Sequence, residues 1–250
     1  MKLKIDKVDQ ANFIGFVNRL KLIDSFIYFK IKGDNLQVVS SAYLPQRDAV
    51  KHNAFPASEI FTITEATPEK EMKVAFFDAS KLIEAFKQFD YQTIQGEIEF
   101  VENEEDLVAS SFKIFNEDLE ITLSCSEPSL GYKDLTDAQL QSIFNVEGSD
   151  FVFELSNVEA GRIKSLFNLD KDETFTITAG DGGVKMSGKS YNKLVSVDYE
   201  GEAGSVTVYK KYLNLLDKED YKAYVFGNRV VLRSTESATL LTIATCQTAD

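Results

Sequence analysis

The stretch Val208–Leu216, VYKKYLNLL, decides how this chain reads. Tyr212, Leu215 and Leu216 recur at helical spacing, and Lys210 and Asn214 fall on the opposite side. That pattern predicts a short amphipathic helix with one apolar and one basic face. Strand-like runs flank it: SVTVY (205–209) before, then YKAYVFG (221–227), RVVLRS (229–234) and TLLTIAT (239–245). Such a helix lays its apolar face on a sheet and turns its basic face outward.

The same order of strand, helix and three strands occurs in four modules. The first opens with KLKID (2–6). A helix follows over 10–23, capped by Asp9, with Phe13, Phe16, Val17 and Leu20 inward. FIYFKI (26–31) and LQVVS (36–40) come next, joined by the turn sequence KGDN. Residues 43–72 show no clear pattern beyond a strand predicted at 59–64. The second module opens with KVAFF (73–77). Asp78 caps a helix over 79–89 with Leu82, Ala85, Phe86 and Phe89 inward, and strands follow at 94–101, 107–114 and 118–124. ENEED (102–106) reads as an acidic, solvated hairpin loop.

Residues 125–149 carry one Pro, two Gly and no alternation, which marks a linker. Within it, Thr136 and Gln139 form a capping box for a helix over 137–144. The third module starts at FVFEL (151–155). Ser156 and Glu159 form a second capping box for a helix over 157–168, with Ala160, Ile163, Leu166 and Phe167 inward. Its strands are predicted at 174–178, 183–187 and 193–199. The fourth module is built on VYKKYLNLL.

Length and composition fit this plan. The 250 residues, 44% of them hydrophobic, suffice for one large or two ordinary domains with a substantial core. Two cysteines are too few for a disulfide framework and point to a reducing, cytosolic setting. No apolar run has the length of a signal peptide or of a membrane span, so no membrane is expected as a partner. A net charge of −13 at first sight argues against nucleic acid. The placement of charge argues the other way. The four helix bodies hold Arg19, Lys21, Lys81, Lys87, Arg162, Lys164, Lys210 and Lys211 against only Glu84 and Glu159, so the helices carry +6. A basic stripe on an acidic body still attracts DNA locally.

Motifs for chemistry are missing. His52 is the sole histidine and lies in a loop, so neither a catalytic triad nor a histidine metal site has its parts. Cys125 and Cys246 lack zinc spacing. GDGG (180–183) lacks the GK[ST] ending of a phosphate loop and reads as a hairpin turn. The acidic run from Asp170 resembles the start of a calcium loop, but Phe175 stands where glycine is required. The expectation is a protein that is not an enzyme and takes no metal or cofactor.

Four runs resemble the DNA sliding clamps, the family of proliferating-cell nuclear antigen and the T-even-type phage polymerase processivity factors. KYLNLL (211–216), with three strands after it, is similar to the family's last helix. AGDGGVKMSG (179–188) resembles the turn and edge strand after the third helix. DNLQVVSS (34–41) resembles the strand leading to the front surface, and CSEPSLGYKDL (125–135) sits where the interdomain connector begins. The resemblance implies an α+β sliding-clamp (DNA clamp) fold with two similar domains, each of two βαβββ modules, helices on the inner face and antiparallel sheets outside. The domains would be 1–126 and 150–250, joined by a connector at 127–149. It further implies a head-to-tail homotrimer whose closed ring encircles double-stranded DNA without sequence preference, set there by a clamp loader and tethering a DNA polymerase. The setting would be the cytoplasm, host cytoplasm if viral, or the nucleus if eukaryotic.

The eight basic residues would then face DNA. Leu119, Ile121 and Leu123, with Val184 and Met186, would form the edge strands that pair between subunits. A partner-peptide pocket would gather Val39, Tyr43 and Leu44 with Leu130, Leu135 and Leu140 of the connector and Ile243 and Ala244 of the last strand. Two other readings stay open: a monomeric clamp-like processivity subunit, and a non-enzymatic structural β-protein.

Overall fold

The computed structural model describes residues 1–32, 36–44, 48–65, 67–89, 93–102, 106–130 and 135–246. The KGDN turn, the middle of the ENEED loop and positions 131–134 of the linker lie outside the described residues. The chain forms two compact units, residues 1–42 with 52–134, and residues 43–51 with 135–250.

Elements of the first unit, with β4 beginning in the second, follow in chain order: β1 (Lys2–Val8), α1 (Gln10–Lys21), β2 (Ile27–Lys32), β3 (Gln37–Tyr43), β4 (Ala49–Pro56), β5 (Phe61–Thr62), β6 (Met72–Phe76), α2 (Ala79–Lys87), β7 (Ile94–Glu102), β8 (Leu107–Phe115) and β9 (Glu120–Ser124). Its strands lie in the order β3-β2-β6-β8-β7-β1-β5, with β9 on β8. Both helices are capped as their sequences dictate: the Asp9 carboxylate accepts from Asn12 N–H, and Asp78 accepts from Ser80 and Lys81 N–H. The helices run antiparallel. At one end the Gln10 amide donates to the carbonyls of Phe86 (2.6 Å) and Phe89 (3.0 Å), and at the other Ala79 N–H donates to Ser25 O (2.9 Å). Between helices and sheet lies an aromatic core in which Phe13 meets Phe86 at 4.5 Å and Phe29 and Phe112 edge-on.

The segment 43–72, which shows so little pattern, contains a whole strand, β4, and the strand expected at 59–64 shrinks to the two residues of β5. The strand β4 escapes pattern reading because its buried positions include Lys51 and Asn53.

The second unit continues with α3 (Asp137–Ile143), β10 (Phe151–Leu155), α4 (Asn157–Leu166), β11 (Thr174–Gly180), β12 (Gly183–Ser187), β13 (Asn192–Ser196), β14 (Glu200–Gly201), β15 (Gly204–Tyr209), α5 (Lys210–Leu213), β16 (Tyr221–Phe226), β17 (Arg229–Ser234) and β18 (Thr239–Ala244). One sheet has the order β14-β10-β16-β17-β18, and a second has the order β13-β12-β11-β15. The capping box at Thr136 and Gln139 is complete. At α4 only half of it forms: the Ser156 hydroxyl accepts from Glu159 N–H (3.2 Å), while the Glu159 carboxylate turns to Arg162 (2.5 Å) and Lys193 (3.0 Å). Leu166 and Phe167 are half-buried rather than core. GDGG is a hairpin turn, as its residues suggest. Gly180 pairs with Gly183, whose φ of +101° and close approach to the backbone of Ser196 exclude a side chain.

The helix expected over 208–216 is shorter than its pattern. Regular α-helix spans four residues, Lys210–Leu213, and tighter turns carry the chain on through Leu216. Tyr212, Leu213, Leu215 and Leu216 are all buried.

Candidate nucleic-acid face

In the first unit, α1 and α2 turn their polar sides away from the sheet. Lys21, Lys81 and Lys87 are exposed and Arg19 is partly so. Among the described residues none of these four has an ion-pair partner. On the other side of the same sheet most lysines are paired, although the exposed Lys7 of β1 has no ion pair among the described residues. Lys2 meets Glu97 (2.7 Å), Lys4 meets Glu65 (3.4 Å) and Lys113 meets Glu120 (2.7 Å). The Lys2 bond raises that ammonium's pKa and lowers that of Glu97. Charge is thus largely compensated on the strand side and, among the described residues, left uncompensated on the helix side.

The second unit departs from the sequence reading. Lys210 does not point outward: it is buried, and its ammonium binds the Asp170 carboxylate and donates to Phe167 O (3.2 Å). The rings of Phe167 and Tyr191 lie 5.5 and 5.9 Å from it. A buried ammonium needs such company, since its burial without a partner is costly. The bond holds the Asp170 carboxyl below its ordinary pKa. Lys164 is half-buried and reaches Leu216 O (3.5 Å), with burial lowering its pKa against the opposing charge of Asp217. Arg162 is exposed but tied to Glu159, and Lys211 is exposed over the rings of Tyr209 and Tyr212 (5.1 Å each). Basic surface on α4 and α5 is therefore thinner than the eight-residue count implies.

Edge strands also sort differently. In the first unit β9 pairs only with β8 among the described residues, with Leu119 36% exposed and Ile121 and Leu123 half-buried. In the second, β12 is central, between β11 and β13, and its Val184 and Met186 are core residues at 0% and 1% exposure. β13 is an edge of that sheet, as is β15, and Leu194 of β13 and the following Val197 are 37% and 70% exposed. Two edge residues that sequence reasoning missed are therefore Leu194 and Val197.

The residues expected in the peptide pocket divide. Leu135 and Phe144 bury themselves with Val50 and Val231, and Tyr43, Leu140, Tyr224 and Leu240 pack against that cluster. Three donors hold the end of α3 there: Arg233 to Phe144 O (3.0 Å), Arg229 to Asn145 O (3.2 Å) and the Thr242 hydroxyl to Ile143 O (3.2 Å). Ile243 belongs to the opposite face of β18 and is 3% exposed, within the core. Leu44 and Ala244 are half-buried. Val39, half-buried, and Leu130, 77% exposed, belong to the first unit.

No group of three or more metal-ligating side chains occurs among the described residues. His52 Nδ1 is within hydrogen-bond distance of Ser41 Oγ (2.8 Å), and burial pushes the Cys125 thiol up to about 12.

Solved structures share this architecture. A chain of the PCNA2–PCNA3 complex from Sulfolobus tokodaii matches with a TM-score of 0.65 and 16% identity over 98% of this chain and 99% of that one. The proliferating cellular nuclear antigen of Entamoeba histolytica matches with 0.67 and 14% over 98% of each. The A. fulgidus PCNA bound to the C-terminal region of FEN-1 matches with 0.66 and 10% over 100% and 99%. No protein-family model and no curated protein matches the chain. The chain has the mixed α+β fold of the sliding clamps.

Proposed function

We propose that this chain is a DNA sliding clamp, a non-enzymatic ring around duplex DNA that tethers a polymerase near the primer end. The observation that carries the reading is the sorting of charge in the first unit. Among the described residues Arg19, Lys21, Lys81 and Lys87 stand without acidic partners on α1 and α2, in a chain of −13 whose strand-side lysines are mostly paired. Unpaired cations on one side attract phosphate whatever the sequence, and the acidic remainder repels DNA from other surfaces. Open edges at β9 and β13 suit pairing with further copies of the chain, which would close a homotrimeric ring. Retention of a partner such as the polymerase on the ring would raise its effective concentration at the primer.

The test combines light scattering with primer extension on a primed circular template, using the cognate polymerase and clamp loader. The expected outcome is a mass three times that of one chain and longer products when the protein is loaded. A protein that stays monomeric yet stimulates extension would establish the monomeric processivity reading, and one that neither assembles nor stimulates would leave a structural β-protein.

A further inference from the structure

One apolar feature of the first unit is not accounted for by its core. Phe77, directly before the cap of α2, is 75% exposed, and Leu22, at the end of α1, is 49% exposed. Phe77 stands edge-on to the buried Phe26 at 6.4 Å, which fixes its ring from one side and leaves the other to solvent. The bond from Ala79 N–H to Ser25 O joins the loop that carries Phe77 to the loop after α1. Because α1 and α2 run antiparallel, this end also gathers Arg19 and Lys21 from the last turn of α1 and Lys81 from the first turn of α2. Two carboxylates share the neighbourhood, and both are engaged by backbone: Asp24 accepts from Phe26 N–H (2.9 Å), and Asp78 caps α2.

We propose that Phe77, with Lys21 and Lys81 at the same end of the helix pair, is a stacking platform for an unpaired DNA base. The inference rests on the clamp reading and refines it. Phosphate attraction alone requires no aromatic ring, and phenylalanine has no group to read base edges. Inside a duplex both faces of every base are covered by its neighbours. A ring held on one side and open on the other therefore fits a base whose face is free, as on the single-stranded template beyond a primer end. Basic side chains around an exposed aromatic are the composition by which single strands are held without sequence preference.

The experiment measures fluorescence anisotropy of two labelled linear DNAs, a blunt duplex and the same duplex with a single-stranded tail, binding to the full chain. Wild type should prefer the tailed DNA by about tenfold, the order of one stacked base. Phe77→Ala should erase that preference and leave blunt-duplex affinity unchanged, Phe77→Tyr should keep it, and Lys21→Ala with Lys81→Ala should weaken both DNAs. An unchanged preference in Phe77→Ala overturns the platform. So does a fall in light-scattering mass for that variant, which would make the ring a contact between copies of the chain. Primer extension with the wild type separates the two claims: wild-type stimulation without tail preference removes only the platform, and a wild type that neither binds DNA nor stimulates removes the clamp reading as well.

Discussion

A lysine ammonium taken out of water needs both an opposite charge and acceptors for its protons, and two lysines of the second unit obtain them in different ways. Lys51 is fully buried, and its Nζ binds Asp217 (2.7 Å) and Leu215 O (3.0 Å), tying residue 51 to the turns after α5. Removing one member strands the other, so Lys51→Ala should destabilise the protein by about 3–5 kcal/mol in denaturant unfolding. Replacing Lys51 by Met and Asp217 by Leu together should recover most of that loss; a double variant as unstable as the single would refute a purely electrostatic cost. Lys210 and Asp170 offer a pH test. Asp170 titrates below its ordinary value because Lys210 donates to it. A depressed folded pKa means that the pair stabilises above the unfolded carboxylate value, and that the contribution vanishes as pH falls through the folded one. Asp170→Asn should therefore be less stable at neutral pH and should lose less of its melting temperature on acidification. Parallel melting curves across the acid range would rule this out.

Strand position decides what a charged substitution does. On β13 and directly after it, Leu194→Glu or Val197→Glu changes an exposed edge, so the variant should fold normally and lose mass by light scattering if that edge joins copies of the chain. Ile121→Glu on β9 should behave alike. Met186→Glu is different: it puts a carboxylate at a position 1% exposed, and circular dichroism should report loss of structure. A folded monomeric Met186→Glu would contradict the central placement of β12. Sequence reading could not separate these strands, because Val184 and Met186 alternate identically whether their strand is central or an edge. What was legible is local. Asp9, Asp78 and Thr136 announce their helices because a cap acts over three residues, and the inward phenylalanines of α1 and α2 follow from period alone. What was illegible depends on distant partners. Lys210 reads as outward-facing by period, yet it turns inward to Asp170, forty positions earlier in the chain.

At the scale of the whole molecule, the balance of charge between the two units gives the last prediction. Among the described residues the first unit shows Arg19, Lys21, Lys81 and Lys87 without ion pairs, whereas the second withdraws Lys210, half-withdraws Lys164 and ties Arg162 to Glu159, leaving Lys211 as the plain exposed cation of α4 and α5. A cation already held by a carboxylate displaces few counterions when phosphate arrives, because its field is already answered. The four basic residues on each pair of helices should therefore contribute unequally to DNA binding. Each phosphate left without its cation lowers the slope of log affinity against log salt by about 0.9. Replacing Lys21, Lys81 and Lys87 with Ala should then reduce the slope by roughly two to three per subunit on the DNA, and replacing Arg162, Lys164 and Lys210 should reduce it by less than about one. The second triple variant should instead lose stability, since Lys210 leaves Asp170 behind without its partner. Measuring blunt-duplex binding across a salt series, with melting curves on the same samples, separates the two. An equal fall in slope for both triple variants would mean that the second unit's lysines leave their carboxylates when DNA binds, and would overturn the assignment of Lys210 as a structural residue.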